Sequence, residues 1–203
     1  MIRPLPNNLY FGQLLDEGWA YIGHAFTPDE CSEIIEVCSE GKLTSKLSPG
    51  SINVSGQTVL DKSIRNSDVS WLNPEVAETK WISERIMTGV NELNKSVFNF
   101  DIEEIEQVQF SKYADDLGKY EKHTDTNNMT DTVRKISVSI QLSRPHDYEG
   151  GDLKLYSQES PYIMPREQGM MIAFPSFMLH EVSTVTRGTR YSLVTWIMGP
   201  RFK

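Results

Sequence analysis

From residue 104 onward the spacing of apolar residues changes from a helical to a strand period, and it does not change back. Val108 and Phe110 alternate with Gln107, Gln109, Ser111 and Tyr113 across 106–113. Ile136, Val138, Ile140 and Leu142 alternate with Ser137, Ser139, Gln141 and Ser143 across 136–143. The pattern predicts further strands at 119–125, 152–156, 161–164, 169–174, 178–186 and 189–198. Turn signals such as Glu149-Gly150-Gly151-Asp152 and Arg187-Gly188 separate them. Short strands with no helix between them cannot supply the crossovers of a parallel sheet, which take a dozen or more residues each. The expectation is therefore a barrel or a two-sheet jelly roll.

The first hundred residues read differently. Thr27-Pro28-Asp29-Glu30 combines a capping threonine, a proline where a missing N–H costs little, and a glutamate that completes a capping box. Cys31, Ile34, Ile35 and Cys38 follow at helical spacing, which predicts a helix over about 28–41. The two cysteines share that apolar face, and the reading is core thiols rather than a metal or redox pair. Asn73-Pro74-Glu75 is a second helix start, and Ala77, Trp81, Ile82, Ile86, Val90 and Leu93 carry a stripe to about 94. Residues 43–68 are rich in Ser, Gly and Thr, a long irregular stretch of the kind that serves function or moves. Both helices are expected to pack outside the barrel, covering one sheet. The whole chain, 1–203, is expected to form one domain, helical over about 1–100 and barrel-like over about 104–198.

Composition narrows the function classes. A net charge of −8 argues against non-specific binding to nucleic acid or to anionic membranes. No apolar run approaches a membrane span, and MIRPLPNNLYFG lacks the basic-then-apolar order of a signal peptide. The expectation is a cytoplasmic protein with no membrane and no nucleic-acid partner.

Four histidines are present: His24, His123, His146 and His180. In His123-Thr124-Asp125 a histidine and a carboxylate lie two residues apart, so in extended chain both project to one side. With His180 from a distant strand they would make a two-histidine, one-carboxylate set. That set leaves three octahedral positions open and suits non-haem Fe(II). Alone, a His-x-Asp tripeptide carries little weight. Ten residues after His180 stands Arg190, on a strand whose Arg190, Ser192, Val194 and Trp196 share one face. An arginine facing into a barrel is costly unless it meets an anion. At this level a surface pair with one of the 28 acidic residues explains Arg190 equally well. His24 and His146 read as ordinary core or solvated residues, Arg187 as a hairpin residue, and the acidic run 101–106 as a solvated edge. Arg65 reads as a group that orients substrate or packs across Trp71.

The run Tyr113-x6-Tyr120-x2-His123-x-Asp125, then Ile140-Gln141-Leu142-Ser143 and Tyr148-Glu149-Gly150-Gly151-Asp152-Leu153, resembles the prolyl 4-hydroxylase class of Fe(II)/2-oxoglutarate oxygenases. So do Gly169–Ser176, His180-Glu181-Val182, Gly188-Thr189-Arg190-Tyr191-Ser192-Leu193 and Trp196. The similarity covers about 104–198 and extends more weakly to 26–31 and to Arg65-Asn66-Ser67. Short bacterial and phage-like members with a PKHD-type domain are the most similar in character.

The resemblance implies a double-stranded β-helix, a jelly-roll barrel, with a metal inside one end. It implies His123, Asp125 and His180 as Fe(II) ligands and Arg190 as partner of the distal carboxylate of 2-oxoglutarate. Tyr113 matches a tyrosine near the co-substrate, and Ser192, Trp196 and Tyr120 are implied pocket lining, with Trp196 packing beneath the site. Where some peptidyl prolyl hydroxylases have a second tyrosine, Ile140 and Gln141 stand here, so co-substrate recognition is expected to rest on Arg190 and a hydroxyl elsewhere. Related halogenases lack the carboxylate, so Asp125 points to hydroxylation. The implied reaction hydroxylates an unactivated C–H bond with dioxygen while 2-oxoglutarate is decarboxylated to succinate and CO2, and ascorbate is a further cofactor to test. The implied substrate is an amino-acid side chain, a prolyl residue in a peptide or protein first. The alternatives are a free amino acid or other small molecule, and a non-catalytic metal-binding barrel.

Overall fold

The computed structural model describes residues 10–14, 18–41, 43–54, 56–73, 76–126 and 132–202. Two antiparallel sheets face one another. The larger runs Tyr10–Leu14, Trp19–Gly23, Met171–Pro175, Thr132–Gln141, Val185–Pro200, Gln109–Ala114, Asp68–Trp71, Ser48–Pro49, and Tyr148–Gly150 and Glu104–Ile105 also pair with its longest strand. The smaller runs Tyr162–Ile163, Leu153–Tyr156, Leu179–Val182, Lys119–His123, Arg65–Asn66. Every pairing is antiparallel, including those of the two-stranded hairpin Ile52–Val54/Gln57–Val59.

The alternation of the central strands decides which side each residue serves. Ile136, Val138, Ile140, Leu193 and Ile197 point away from the smaller sheet and join one core with helix residues Cys31, Ile34, Trp81, Ile86 and Val90. The helices are Pro28–Glu40 and Ala77–Leu93, the second followed by a π-helical turn, Asn94–Phe98. A second core fills the barrel itself and includes Tyr113, Leu153, Leu155, Ile172, Phe174 and Val182. The serines and glutamine that alternate with the isoleucines therefore face inward. A polar inner wall is unusual for a buried surface and marks that face for something other than packing.

The first helix begins and ends as its sequence dictates. Thr27 caps it, the capping box with Glu30 is formed, and Gly41 closes it in the left-handed region. Cys31 and Cys38 are buried thiols, each pushed by burial up to about 12. The start of the second helix differs from expectation. Its N-cap is Val76, and Asn73 instead offers its carbonyl to the Thr79 hydroxyl; Pro74 and Glu75 lie outside the described residues. An ion pair not foreseen in the sequence ties the helices together. Arg85 on the second donates to both Glu30 oxygens on the first, at 2.9 Å from Nη2 to Oε1. Its guanidinium also lies 4.8 Å from the Trp81 ring centroid.

Two further expectations are corrected. The first hundred residues are not only helical, since Trp19–Gly23 extends the larger sheet beside Met171–Pro175 and Asp68–Trp71 pairs with Gln109–Ala114. The Trp19–Gly23 strand is short and buried on both faces, so it shows no alternation to read. Arg187-Gly188 is not a hairpin turn, because one strand runs unbroken from Val185 to Pro200. Arg187 faces Glu149 across a strand pair, with Nε–Oε1 at 2.8 Å. Gly188 is required there for a different reason. Its φ is +74°, and a Cβ would sit 2.1 Å from the Asp147 carbonyl oxygen. Among the described residues no helix is long and apolar enough to cross a membrane.

Candidate active site

Lys119–His123 and Leu179–Val182 are neighbours in the smaller sheet, and His123 stands directly opposite His180. Opposed residues of an antiparallel pair share a face, which brings the two rings to 4.2 Å between centroids. Past His123 the chain leaves its strand, and the Asp125 N–H donates to the Ser176 carbonyl at the end of a strand of the larger sheet, at 2.9 Å. Asp125 thus bridges the sheets. Its Oδ1 lies 3.6 Å from His123 Nε2 and its Oδ2 3.4 Å from His180 Nε2. One donor atom from each of the three residues lies within 4.8 Å of the others.

Both imidazoles are held in the orientation a metal ligand needs. His123 Nδ1 lies 2.8 Å from the Glu121 carbonyl and His180 Nδ1 2.9 Å from that of Met178. A carbonyl only accepts, so Nδ1 carries the proton and each Nε2 turns a lone pair toward Asp125. Burial pushes the Asp125 carboxyl up, but His180, His123 and the Ser137 hydroxyl pull it further down, and it rests well below the usual carboxylate range. Burial, aided by His123, holds His180 below its ordinary value against the opposing pull of Asp125. Two neutral imidazoles and an ionised carboxylate are the protonation states that ligate a divalent ion, and the donor set is compatible with Fe(II).

Deeper in the barrel, on the larger sheet, Arg190 is 3% exposed. Arg85, Arg134, Arg166 and Arg187 each meet a carboxylate. Arg190 meets none among the described residues; its Nη1 donates to Ser192 Oγ at 3.2 Å, and its Cζ lies 5.5 Å from the Tyr113 ring. The surface-pair reading of Arg190 is thereby excluded. A pocket opens in front of it, lined also by Ser139, Gln141, Tyr148, Leu153 and Ile172. Ile140 packs outward against the helices, whereas Gln141 faces the pocket and donates to the Tyr148 hydroxyl at 3.1 Å. Tyr148 supplies a hydroxyl near this wall that the sequence reading did not single out.

At the mouth, Tyr120 stacks on His123 with 3.6 Å between centroids, and Arg65 lies over Tyr120 at 4.6 Å rather than across Trp71. Arg65 is fixed by hydrogen bonds to Ser67 and to the Ser51 carbonyl. Trp71 instead leans on Trp196, at 6.4 Å. The guanidinium of Arg134 covers Trp196 at 3.7 Å and is gripped by both Glu106 oxygens, so the acidic run 101–106 is not merely a solvated edge. Trp196 is 7% exposed, and its indole N–H has no partner among the described residues. Ser137, Ser176, Arg134 and Trp71 were not among the expected site residues. Only the inward alternation of Ser137 with Ile136 and Val138 hinted at one of them. Residues 127–131, which precede the strand Thr132–Gln141, lie outside the described residues. His24 and His146 stand apart from the site, His146 exposed beside Asp147.

The profile of the 2OG-Fe(II) oxygenase superfamily matches residues 108–198, the stretch that carries His123, Asp125, His180 and Arg190. That stretch carries the profile of the superfamily. A PKHD-type hydroxylase from Picosynechococcus sp. is 36% identical over 93 residues, 46% of this chain and 42% of that protein. Another from Crocosphaera subtropica is 28% identical over 182 residues, 87% of this chain and 76% of its relative. The matched stretch spans 42% and 37% of the length of the first two curated relatives. Among solved structures, a Pseudomonas putida prolyl-4-hydroxylase superposes with a TM-score of 0.70 at 22% identity, covering 92% of this chain and 94% of that one. A Trichoplax adhaerens prolyl hydroxylase, solved with a hypoxia inducible factor peptide fragment, gives 0.73 at 18% identity over 90% and 84%. The architecture that this chain shares with these neighbours is the double-stranded β-helix.

Proposed function

We propose that this chain is an Fe(II)- and 2-oxoglutarate-dependent dioxygenase that hydroxylates an amino-acid side chain, a prolyl residue in a peptide or protein first. The observation that carries the proposal is Arg190. A buried guanidinium with no carboxylate of its own, in the same barrel as an open-sided His-Asp-His set, is an anion site waiting for an external carboxylate. On this reading His123, Asp125 and His180 hold the iron. Arg190 and Ser192 take the distal carboxylate of 2-oxoglutarate, with Tyr113 beside them. Iron bound there would supply oxidising power from dioxygen, coupled to decarboxylation of 2-oxoglutarate to succinate and CO2, sufficient to break an unactivated C–H bond.

The protein's own residues do the rest. The Nδ1–H bonds to backbone carbonyls keep both imidazoles aimed at the ion. Ile172, Phe174, Leu155 and Val182 line the interior and exclude water from the reacting centre. Tyr120 stacks on His123 and carries the Arg65 guanidinium over its ring, which steadies that imidazole beside the ion site. Arg65, itself part of the segment 43–68, binds the Ser51 carbonyl and lies over Tyr120, which sets that segment beside the site.

The test is anaerobic. Fe(II) and 2-oxoglutarate added to apo-protein should give the weak visible metal-to-ligand charge-transfer band, which His180→Ala and Arg190→Ala should abolish or weaken. Prolyl peptides, free amino acids and an ascorbate series then follow on the wild type. No band from folded, iron-loaded wild type would overturn the proposal and leave a metal-binding barrel with another task. A band unaffected by Arg190→Ala would mean that another residue holds the distal carboxylate of 2-oxoglutarate.

A further inference from the structure

Asp125 lies beyond the last residue of its own strand, so the ladder of the smaller sheet does not hold it. Two serines of the larger sheet do. The Ser176 carbonyl accepts the Asp125 N–H at 2.9 Å, and the Ser176 N–H is itself bound to the Lys135 carbonyl at 3.0 Å. Ser137 Oγ lies 2.7 Å from Asp125 Oδ2 and 3.0 Å from Ser176 Oγ. An ionised carboxylate only accepts, so Ser137 spends its one proton on Asp125 and accepts from Ser176. The protons run in a fixed order, Ser176 to Ser137 to Asp125.

We infer that Ser137, backed by Ser176, is a positioning residue that fixes Asp125 as a one-oxygen metal ligand. Both serines are at most 1% exposed, and Ser137 sits between Phe174 and Trp196 on the flanking strands, so the hydroxyl cannot drift. With Oδ2 engaged, Oδ1 is the oxygen left for the ion, beside His123 Nε2. A carboxylate binding through one oxygen leaves three octahedral positions open, and one chelating through both leaves two. The inference rests on the metal reading of the previous subsection, which needs all three.

The experiment uses the full chain, freed of metal, and Mn(II) alone, with free Mn(II) followed by electron paramagnetic resonance. Ser137→Ala should weaken Mn(II) binding about 10–100-fold, the range for loss of a hydrogen-bond partner of a ligand. Ser176→Ala should weaken it less, and Ser137→Thr, which keeps the hydroxyl, should recover most of the loss. Wild-type affinity in a folded Ser137→Ala protein overturns the inference. So does an equal loss in Ser137→Thr, since the hydroxyl would then not be what matters. Should Ser137→Ala not fold, Ser137→Cys and Ser176→Ala carry the same test, the weak S–H donor giving an affinity below wild type. Failure of the wild type to bind Mn(II) at all would overturn the metal reading itself, a result distinct from wild-type affinity in the variants.

Discussion

Arg190 makes a prediction that runs against the usual sign of core substitutions. Burying an ion costs several kcal/mol after relaxation. What offsets it here is one hydrogen bond to Ser192, worth about 1.5–3 kcal/mol for a charged donor, and a ring contact with Tyr113 worth about 0.5–1 kcal/mol. The balance leaves roughly 1–2 kcal/mol unmet, which Arg190→Met should release because methionine fills similar space without a charge. At about 2–4 °C per kcal/mol for a chain of this size, apo Arg190→Met should melt about 2–8 °C higher than wild type. Adding 2-oxoglutarate with redox-inert Mn(II) should invert the order. A ligand at 100 times its Kd stabilises by about 2.7 kcal/mol, or about 5–11 °C, and only the wild type should respond. Differential scanning fluorimetry reads both effects. An apo variant that melts below wild type would mean that Arg190 is a structural strut, and an undiminished response to 2-oxoglutarate would place the carboxylate elsewhere.

Other consequences are separately measurable. The Glu30–Arg85 pair is nearly buried, so Glu30→Gln should cost about 3–5 kcal/mol in urea unfolding, and a loss under about 1 kcal/mol would show the pair to be incidental. Burial raises the Glu30 carboxyl, but its bond to Arg85 and the Thr27 contacts lower it further, below its ordinary value of 4.5. Its contribution is therefore complete above about pH 4.5 and lost as pH falls through the lowered value, so Glu30→Gln should flatten the acid limb of a melting-temperature profile. Cys31 and Cys38, with thiols near 12, should resist Ellman's reagent at pH 8 in the native state and react at once in denaturant; native reactivity would contradict their burial. Mn(II) affinity should fall in acid, as protons compete for the imidazoles. Because burial holds His180 low, its share of that loss should come below about pH 6.5, and an affinity flat from pH 5 to 8 would contradict protonation as the competitor.

How much of this was legible in the chain depended on whether the cause was local. The first helix was readable to within a residue, because its start is set by side chains within three positions of the backbone they satisfy. Most strands after residue 104 were readable for the same reason, as each alternation is a local pattern, but Glu104–Ile105 and Tyr148–Gly150 are too short to show one. The Trp19–Gly23 and Arg65–Asn66 strands were not, since both exist only because a distant edge accepts them. Gly188 misled for a related reason: its positive φ serves a close approach by Asp147, which sequence spacing cannot distinguish from a turn.

The site divides along the same line. His123 and Asp125 are two residues apart, and His180 and Arg190 lie in one run, so their spacing could suggest a cluster. The groups that orient them come from other strands and carry no motif. Ser137 reaches Asp125 from 12 residues away, and its partner Ser176 is 39 residues further along. The alternation of the 136–143 strand held the missing information, though with the opposite emphasis. Its isoleucines and valine were the conspicuous residues, and they turn out to face the helices. The serines and glutamine between them face the barrel, where polar atoms are costly unless something polar is to be held. In a sheet with two covered faces, the less hydrophobic one is where chemistry is to be sought.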